Sequence, residues 1–159
     1  MLVAAAPASM AQKNVKLGHI NSNELMQIMP GRDSAQAAFQ REVEDLQATL
    51  KTMQDELESR YNDYRAKESQ MSDLIKQTKQ RELQDMGARM EEFQKNAQQQ
   101  LQDREQELLK PIIDRAKKAI EEVAKERGYT YIFDSGVGAL LYQQDSEDIM
   151  PFVKTKLNL

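Results

Sequence analysis

Apolar residues recur three and four positions apart between Asp33 and Arg127, and this spacing predicts helix throughout that stretch. In the first half, the residues that follow a coiled-coil seam are Phe39, Val43, Leu46, Leu50, Met53, Leu57, Tyr61, Tyr64, Met71 and Ile75. In the second half they are Leu83, Met86, Met90, Phe93, Ala97, Leu101, Leu108, Ile112, Ala116, Ile120 and Val123. Because Tyr61 follows Leu57 by four positions where a heptad has three, an eleven-residue repeat is expected from Met53 to Tyr64.

The helical stretch is expected to fold back on itself. A straight helix over these residues would run roughly 140 Å, whereas two antiparallel arms of roughly 70 Å let the two apolar stripes meet. We place the turn at residues 75–87, since residues 76–81 hold no apolar side chain to bury. Gly87 is the only glycine of the stretch, and it is either part of that turn or an isolated glycine tolerated inside a helix.

Pro111 interrupts the predicted second arm. An interior proline removes one helical hydrogen bond and bends the helix. Alternatively, one helix ends there and another begins with Pro111 in its first turn. Both interpretations make Pro111 a pivot for the distal part of the arm.

Residues 15–20 alternate apolar and polar, which predicts a short, half-buried strand. His19 is the only histidine, and we expect it on the solvated face of that strand, opposite Val15 and Leu17. No partner at metal-ligand spacing accompanies His19, so neither a metal nor a catalytic role is indicated.

A short helix is predicted after this strand. Asn21 with Glu24 three residues later, or Ser22 directly, can cap it. Residues 30–31, Pro-Gly, then break the chain. Asp33 is expected to cap the long arm that follows.

The residues after Gly128 predict strands again. Residues 129–134 are β-branched and aromatic, residues 135–138 read as a turn, and residues 139–142 form a second strand, together a β-hairpin. A final helix is expected over residues 149–157, with Asp148 as its cap.

Composition and charge exclude several classes of function. The chain has 159 residues, of which 30% are charged, and its net charge is −4. An acidic chain does not suit general nucleic-acid binding, which needs a basic face. No nucleophile with its base, no metal-ligand cluster and no phosphate-binding loop is recognisable, so we expect neither a cofactor nor an enzyme.

The first eleven residues are small and apolar, and Ser9-Met10-Ala11 fits the small-x-small rule for signal-peptidase cleavage before Gln12. We therefore interpret residues 1–11 as the remnant of a signal peptide and expect export. The alternative is an apolar tail, because no basic segment precedes the apolar run.

The order of elements and several segments resemble the Skp/OmpH family of periplasmic chaperones. The matching segments are residues 16–24 with Met29-Pro30, residues 109–113, residues 119–129 and the predicted hairpin that ends in Leu141-Tyr142. The resemblance implies a mainly α protein with a small β body, in which residues 12–32 and 128–159 form the body and residues 33–127 a long antiparallel helical hairpin projecting from it. It also implies a periplasmic homotrimer that holds unfolded outer-membrane proteins between its arms without ATP.

Three groups of residues are candidates for these roles. The expected client contacts are flexible or amphipathic side chains of the seam, namely Met53, Tyr61, Tyr64, Met71, Met86 and Met90. A basic patch at the arm tip, suited to acidic client segments or weak contact with anionic membrane, comprises Lys76, Lys79 and Arg81. The expected body core and oligomer interface comprises Ile20, Ile132, Phe133, Leu140, Leu141, Phe152 and Val153.

Simpler interpretations stay open for two of these groups. The methionines are equally well explained as ordinary fillers of the seam, and the basic patch as a solvated polar turn. A structural or scaffolding coiled coil of the cell envelope is the alternative to a chaperone. Such a protein would bind one defined partner and would not protect unfolded proteins.

Overall fold

The computed structural model describes residues 15–159, so the predicted leader and its cleavage site lie outside the described residues. In chain order the elements are β1 (Leu17–Ile20), α1 (Ser22–Ile28), α2 (Arg32–Lys67), α3 (Asp73–Arg127), β2 (Tyr131–Asp134) and α4 (Met150–Leu157). Short 3-10 turns occupy Glu68–Gln70 and Asp145–Glu147. Two compact units result, the arm (Pro30–Ile112) and the body (Ile113–Leu159 with the described residues before Pro30).

Within the arm, α2 and the first part of α3 form the predicted antiparallel hairpin. Near its turn, the side chain of Gln80 donates to the Tyr64 hydroxyl over 3.0 Å. At the opposite end, the Glu42 carboxylate accepts from Gln100 at 2.5 Å and lies 3.5 Å from the Arg104 guanidinium. Residues early in α2 therefore face residues near the middle of α3.

The turn of the hairpin lies earlier than expected, so its placement at residues 75–87 was wrong. After the 3-10 turn, Ser72 begins α3, because its carbonyl accepts from the Lys76 N–H at 3.0 Å and its hydroxyl lies 3.4 Å from the Ile75 nitrogen. Serine is a favoured helix cap, so Ser72 marked the start of α3 in the sequence. The prediction instead followed the polar residues 76–81, which are exposed or half-buried along the helix. Gly87 lies inside α3, where an added Cβ would meet no atom within 4 Å, so it is a tolerated helical glycine.

The starts of the first two helices gave different outcomes. As predicted, Asn21 caps α1, since its side-chain oxygen accepts from the backbone of Asn23 and Glu24, while its amide donates to the Glu24 carboxylate at 2.8 Å. The prediction of Asp33 as the cap of α2 was wrong. Gly31 holds that position at φ 91°, a conformation that favours glycine, and Asp33 lies in the first turn.

Most predicted seam residues are half-buried or buried along the arm, but two depart from the pattern. Tyr61 is 51% exposed, whereas Tyr64 is only 6% exposed. The step from Leu57 to the buried Tyr64 is seven residues, which is one heptad, so the expected eleven-residue repeat is not needed. Ile75 is also exposed, because it lies in the first turn of α3.

The helix α3 continues without interruption through Pro111. The interpretation that a new helix begins there was therefore wrong. The division between the two units falls one residue further on, after Ile112. The last turns of α3 belong to the body, where Ala116, Ala119 and Val123 are buried.

In the body, β1 and β2 pair in parallel, with His19 opposite Phe133. The predicted β-hairpin was wrong, because residues 139–142 form no strand among the described residues. On its other side β1 makes a bridge to Asp148, and its His19 carbonyl accepts from the Ile149 N–H at 3.0 Å. The central strand is thus β1, and β2 lies at an edge.

His19 is buried, so its assignment to a solvated face was wrong. The interpretation overlooked that residues 15, 17 and 19 point to the same side of an extended chain. The burial of His19 comes from its place at the end of β1, where Gly18, His19 and Ile20 are all buried while Leu17 is exposed. The His19 ring is 5% exposed, and its Nε2 lies 2.9 Å from the Gln144 carbonyl oxygen. This contact ties β1 to the segment that precedes α4.

The body core collects apolar residues from the strands, the short helices and α3, namely Ile20, Leu25, Met29, Ala116, Ala119, Val123, Ile149, Met150, Val153 and Leu157. Gly18 lets β1 approach closely, since an added Cβ would lie 2.9 Å from the Tyr129 ring and 3.0 Å from Ile149. As predicted, Gly128 ends α3, here in the left-handed region at φ 72°.

The terminal helix α4 is fixed by one side-chain hydrogen bond at its start and by charged contacts. The prediction of Asp148 as its cap was wrong by one position, since Ile149 holds the cap position, but the Asp148 carboxylate still accepts from the Met150 N–H at 2.8 Å. Lys156 forms ion pairs with Glu122, at 3.2 Å, and with Glu126. These pairs attach α4 to the last turns of α3.

Asp134, at the end of β2, joins three parts of the body. Its carboxylate accepts from the Ser22 N–H at 3.1 Å and from the Gly136 N–H at 2.8 Å. Burial by itself raises the pKa of the Asp134 carboxyl, but hydrogen bonds from Ser22 and Gly136 outweigh it and hold that pKa below its usual value. The ionised carboxylate therefore stabilises the junction of β2, α1 and the following turn.

We expect Asp134→Asn to destabilise the protein by about 1–2 kcal/mol at pH 7, since hydrogen bonds to an ionised acceptor are the stronger ones. A carboxyl whose pKa is lower in the folded than in the unfolded protein contributes its full stabilisation at a pH above the unfolded-state pKa. That contribution is lost as the pH falls through the folded-state pKa. The gap between parent and variant, measured by denaturant unfolding at one protein concentration, should therefore close below about pH 4.

Asp145→Asn removes the same charge from an exposed side chain of the body and serves as the control. Its stability should follow the parent across the same pH range. A constant gap between Asp134→Asn and the parent from pH 7 to acid would contradict the role assigned to the ionised carboxylate.

Candidate functional site

The arm is the first candidate surface, and its predicted client residues differ in accessibility. Met53, Met71, Met86 and Met90 are half-buried in the seam. Tyr61 leaves half of its surface open, but Tyr64 is covered and does not offer a free surface, which corrects its assignment. The methionines therefore fit both a packing role and partial contact with a partner.

Burial changes the pKa of the Tyr64 hydroxyl. It raises the pKa of that hydroxyl, and the hydrogen bond that the hydroxyl donates to the Glu68 carboxylate at 3.0 Å raises it further. The hydroxyl also accepts from Gln80. Tyr64 thus links the end of α2, the 3-10 turn and the start of α3, which is a structural role.

One side of the arm, here called the amide side, has grooves with few charged residues in their lining. Open grooves there have a floor of apolar seam residues, including Leu57 and Leu83 near the turn and Leu50 and Phe93 further along. Their walls carry Gln47, Gln54, Glu58, Tyr61, Gln80, Gln84, Gln94 and Gln98. Residues a whole number of heptads apart lie on the same side of a coiled-coil helix. In α2 this holds for Gln47 and Gln54, one heptad apart. In α3 it holds for the pairs Gln80 and Gln94 and Gln84 and Gln98, each two heptads apart.

The opposite side, here called the charged side, is lined by carboxylates and guanidinium groups. Its charged residues are Glu42, Glu56, Arg60, Glu82, Asp85, Arg89, Glu92, Asp103, Arg104 and Glu107, and Met53, Met86, Ala88, Asn96, Gln99 and Gln100 lie beside them. Arg60 pairs with Glu56 at 2.8 Å, and Arg104 with Glu107 at 2.6 Å. The two sides of one hairpin therefore differ in charge.

The predicted basic patch does not lie in the turn itself. Lys76, Lys79 and Arg81 lie in the first turns of α3, just after the turn. Lys79 forms an ion pair with Glu82 at 2.6 Å, which offsets part of its charge. Next to these residues, the apolar side chains of Leu74 and Ile75 are exposed.

The body offers a second candidate surface. Of the predicted core and interface residues, Ile20 and Val153 are buried, while Ile132, Leu140 and Phe152 are half-buried. Phe133, at 45% exposure, and Leu141, fully exposed, are not core residues of the chain. They remain predicted residues of the oligomer interface.

Sequence reasoning missed several neighbours of these exposed residues. Tyr131 lies beside Phe133 on β2, with ring centroids 6.5 Å apart, and is also exposed. Val137 and Tyr142 leave further apolar surface open. Their adjacency in sequence to Phe133 and Leu141 was the available signal. The body thus leaves apolar side chains exposed on the edge strand β2 and in residues 137–142.

Residues 15–159 contain no group of histidine, cysteine and acidic side chains that could hold a metal ion. Within the same residues, no helix combines the length and the apolar character that a membrane span requires.

A solved structure with a similar fold comes from Caulobacter crescentus, described as a candidate outer membrane chaperone (OmpH-like). It matches with a TM-score of 0.77 over 99% of this chain and 89% of that one, at 14% sequence identity. A protein of Photorhabdus luminescens named chaperone protein Skp is 28% identical over 150 residues, covering 92% of this chain and 88% of the relative. A second protein of that name, from Photorhabdus laumondii, is 28% identical over 142 residues.

The family of OmpH-like outer membrane proteins matches residues 16–157, which is nearly the whole described chain. The match includes both body segments and the complete helical hairpin. The chain therefore belongs to the OmpH-like family of outer membrane proteins, and its relatives include chaperones.

Proposed function

We propose that the protein is an ATP-independent holdase of the periplasm, which binds unfolded outer-membrane proteins between helical arms and prevents their aggregation. The observation that carries this proposal is the arm itself, a long two-helix hairpin whose apolar seam stays half-exposed. Many weak apolar contacts along such a seam suit a chain without fixed structure. The names of the relatives, chaperone protein Skp, support the same function.

The proposal includes a homotrimer. The edge strand β2 and the exposed Tyr131, Phe133 and Leu141 support assembly, because a single chain leaves their apolar surface in water. Three copies that join through these residues would cover them. A closed trimer would also place three arms around one cavity, as the family resemblance implies.

We assign client contact to the open part of the seam, with Tyr61 as its most exposed aromatic ring. Met53, Met71, Met86 and Met90 would let the packing of the seam adjust when different clients bind, because their side chains are flexible. Pro111 would act as the pivot of the arm, supported by its position at the boundary between the two compact units.

The purified protein should suppress aggregation of a urea-unfolded outer-membrane β-barrel protein on dilution, at about one trimer per client and without nucleotide. Light scattering of the diluted client measures this effect. Addition of ATP should not change the light scattering, since the proposed mechanism involves no ATP hydrolysis. A scaffolding protein would leave the scattering unchanged at every ratio, and that outcome would overturn the proposed function.

We further propose that the basic patch gives the arm tip a weak affinity for anionic membranes. The charges of Lys76, Lys79 and Arg81 would attract acidic head groups, and Leu74 and Ile75 would add apolar contact. We expect co-sedimentation with vesicles rich in phosphatidylglycerol at low salt, lost when the three basic residues are replaced by Gln.

Salt provides the control for the tip, because screening weakens contacts between exposed charges. Binding of the parent to the vesicles should fall as salt rises, towards the level of the triple Gln variant. Equal binding of parent and variant at every salt concentration would remove the electrostatic role of the tip.

A further inference from the structure

We infer that the amide side of the arm is the surface that holds the client, and that it takes extended, uncharged segments of an unfolded chain. This inference rests on the proposed holdase function and adds a binding side and a class of segment to it. The seam can be approached from two sides, and their different chemistry favours one of them.

The amide side provides two grooves with apolar floors along the arm. Leu57 and Leu83 line the groove nearer the turn, and Leu50 and Phe93 line the groove further along. Both grooves lie on the same side of the hairpin because their walls repeat at heptad spacing. An extended segment with apolar side chains could therefore lie along several turns of the arm and remove that surface from water.

The walls of these grooves suit an unfolded backbone. A glutamine amide both donates and accepts hydrogen bonds, so Gln54 and Gln84 can pair with either the N–H or the C=O groups of a bound segment. Such pairing needs no particular register, since each amide can rotate to find a partner. A surface of this kind binds many sequences without selecting one.

Charge decides between the two sides. Among the residues that line the grooves of the amide side, Glu58 is the single charged one. Lys51 and Glu91 share heptad positions with these residues but do not line either groove. On the charged side, a bound apolar segment would cover the carboxylates and guanidinium groups of pairs such as Arg60–Glu56 and remove them from water. That desolvation opposes binding of an apolar segment. The uncharged grooves thus match uncharged segments.

Tyr61 gives the amide side its exposed aromatic contact. Its ring is half-exposed at the edge of the groove that contains Leu57 and Leu83. An aromatic ring with a polar hydroxyl can lie against apolar side chains while its hydroxyl stays in water. Tyr61 therefore belongs to the binding surface and not to the packing of the hairpin.

The test adds two negative charges to each side of the arm in turn. Gln54→Glu with Gln84→Glu changes two exposed residues of the amide side with almost no change of shape. Ala88→Glu with Asn96→Asp adds the same charge to two exposed residues that line the charged side. Circular dichroism and mass in solution establish that both variants keep the fold and assembly of the parent.

Binding is measured with a fluorescent, urea-unfolded outer-membrane β-barrel protein of eight strands, diluted into each variant. We expect the amide-side variant to bind roughly tenfold more weakly, because carboxylates resist burial and cannot donate to backbone carbonyls. The charged-side variant should bind like the parent. Parent binding should also change little between about 0.05 and about 0.3 M salt, because the contacts are uncharged.

A photo-crosslinker at Gln84 should capture this client, and one at Arg89 should not. Equal loss of affinity in both variants, or crosslinking from Arg89 alone, would overturn the inference while the holdase function stands. A parent protein that does not bind this client would overturn the proposed function and the inference together.

Discussion

The parallel pairing of β1 with β2 is the contact on which the body depends. It joins residues that are more than 110 positions apart in the chain, such as His19 and Phe133. Closing a loop of that length costs on the order of 4 kcal/mol in chain entropy. The strands alone are too short to offset this cost, so the pairing needs the core beneath it and the hydrogen bonds at its ends.

The hydrogen bonds at the ends of the strand pair come from side chains that precede and follow the stretch between β1 and β2. The Lys16 ammonium donates to the carbonyl of Arg127 at 2.8 Å and lies over the Tyr129 ring, which fixes the start of β1 to the end of α3. At the other end, Asp134 binds the start of α1. The strand pair therefore holds together the two segments of the body, which are far apart in the sequence.

Sequence reasoning succeeded where the signal is local and failed where it is not. The heptad spacing of the arm, the cap at Asn21 and the glycine stop at Gly128 each depend on residues a few positions apart, and all three were predicted. The pairing of β1 with β2 has no local signal. Apolar residues after a glycine-containing turn favour a hairpin, so residues 139–142 were assigned to a strand that the structure does not form.

The candidate site also combines features that the local sequence predicts with features that depend on distant residues. The apolar seam could be read from spacing, but the chemistry of its two sides depends on which residues of α2 face which residues of α3. The register set by contacts such as Tyr64–Gln80 places glutamines of both helices on one side. One hairpin therefore combines a side rich in charged residues with a side whose grooves carry few charges, and we propose that the second side holds unfolded chains.

The proposed function depends on assembly of three chains, because a cavity between arms exists only if several chains join through the body. Mass in solution by light scattering tests it directly. The account predicts a single species of three times 18.3 kDa for the 159-residue chain, stable on moderate dilution. A species with the mass of one chain, still fully folded, would contradict both the trimer and the cavity.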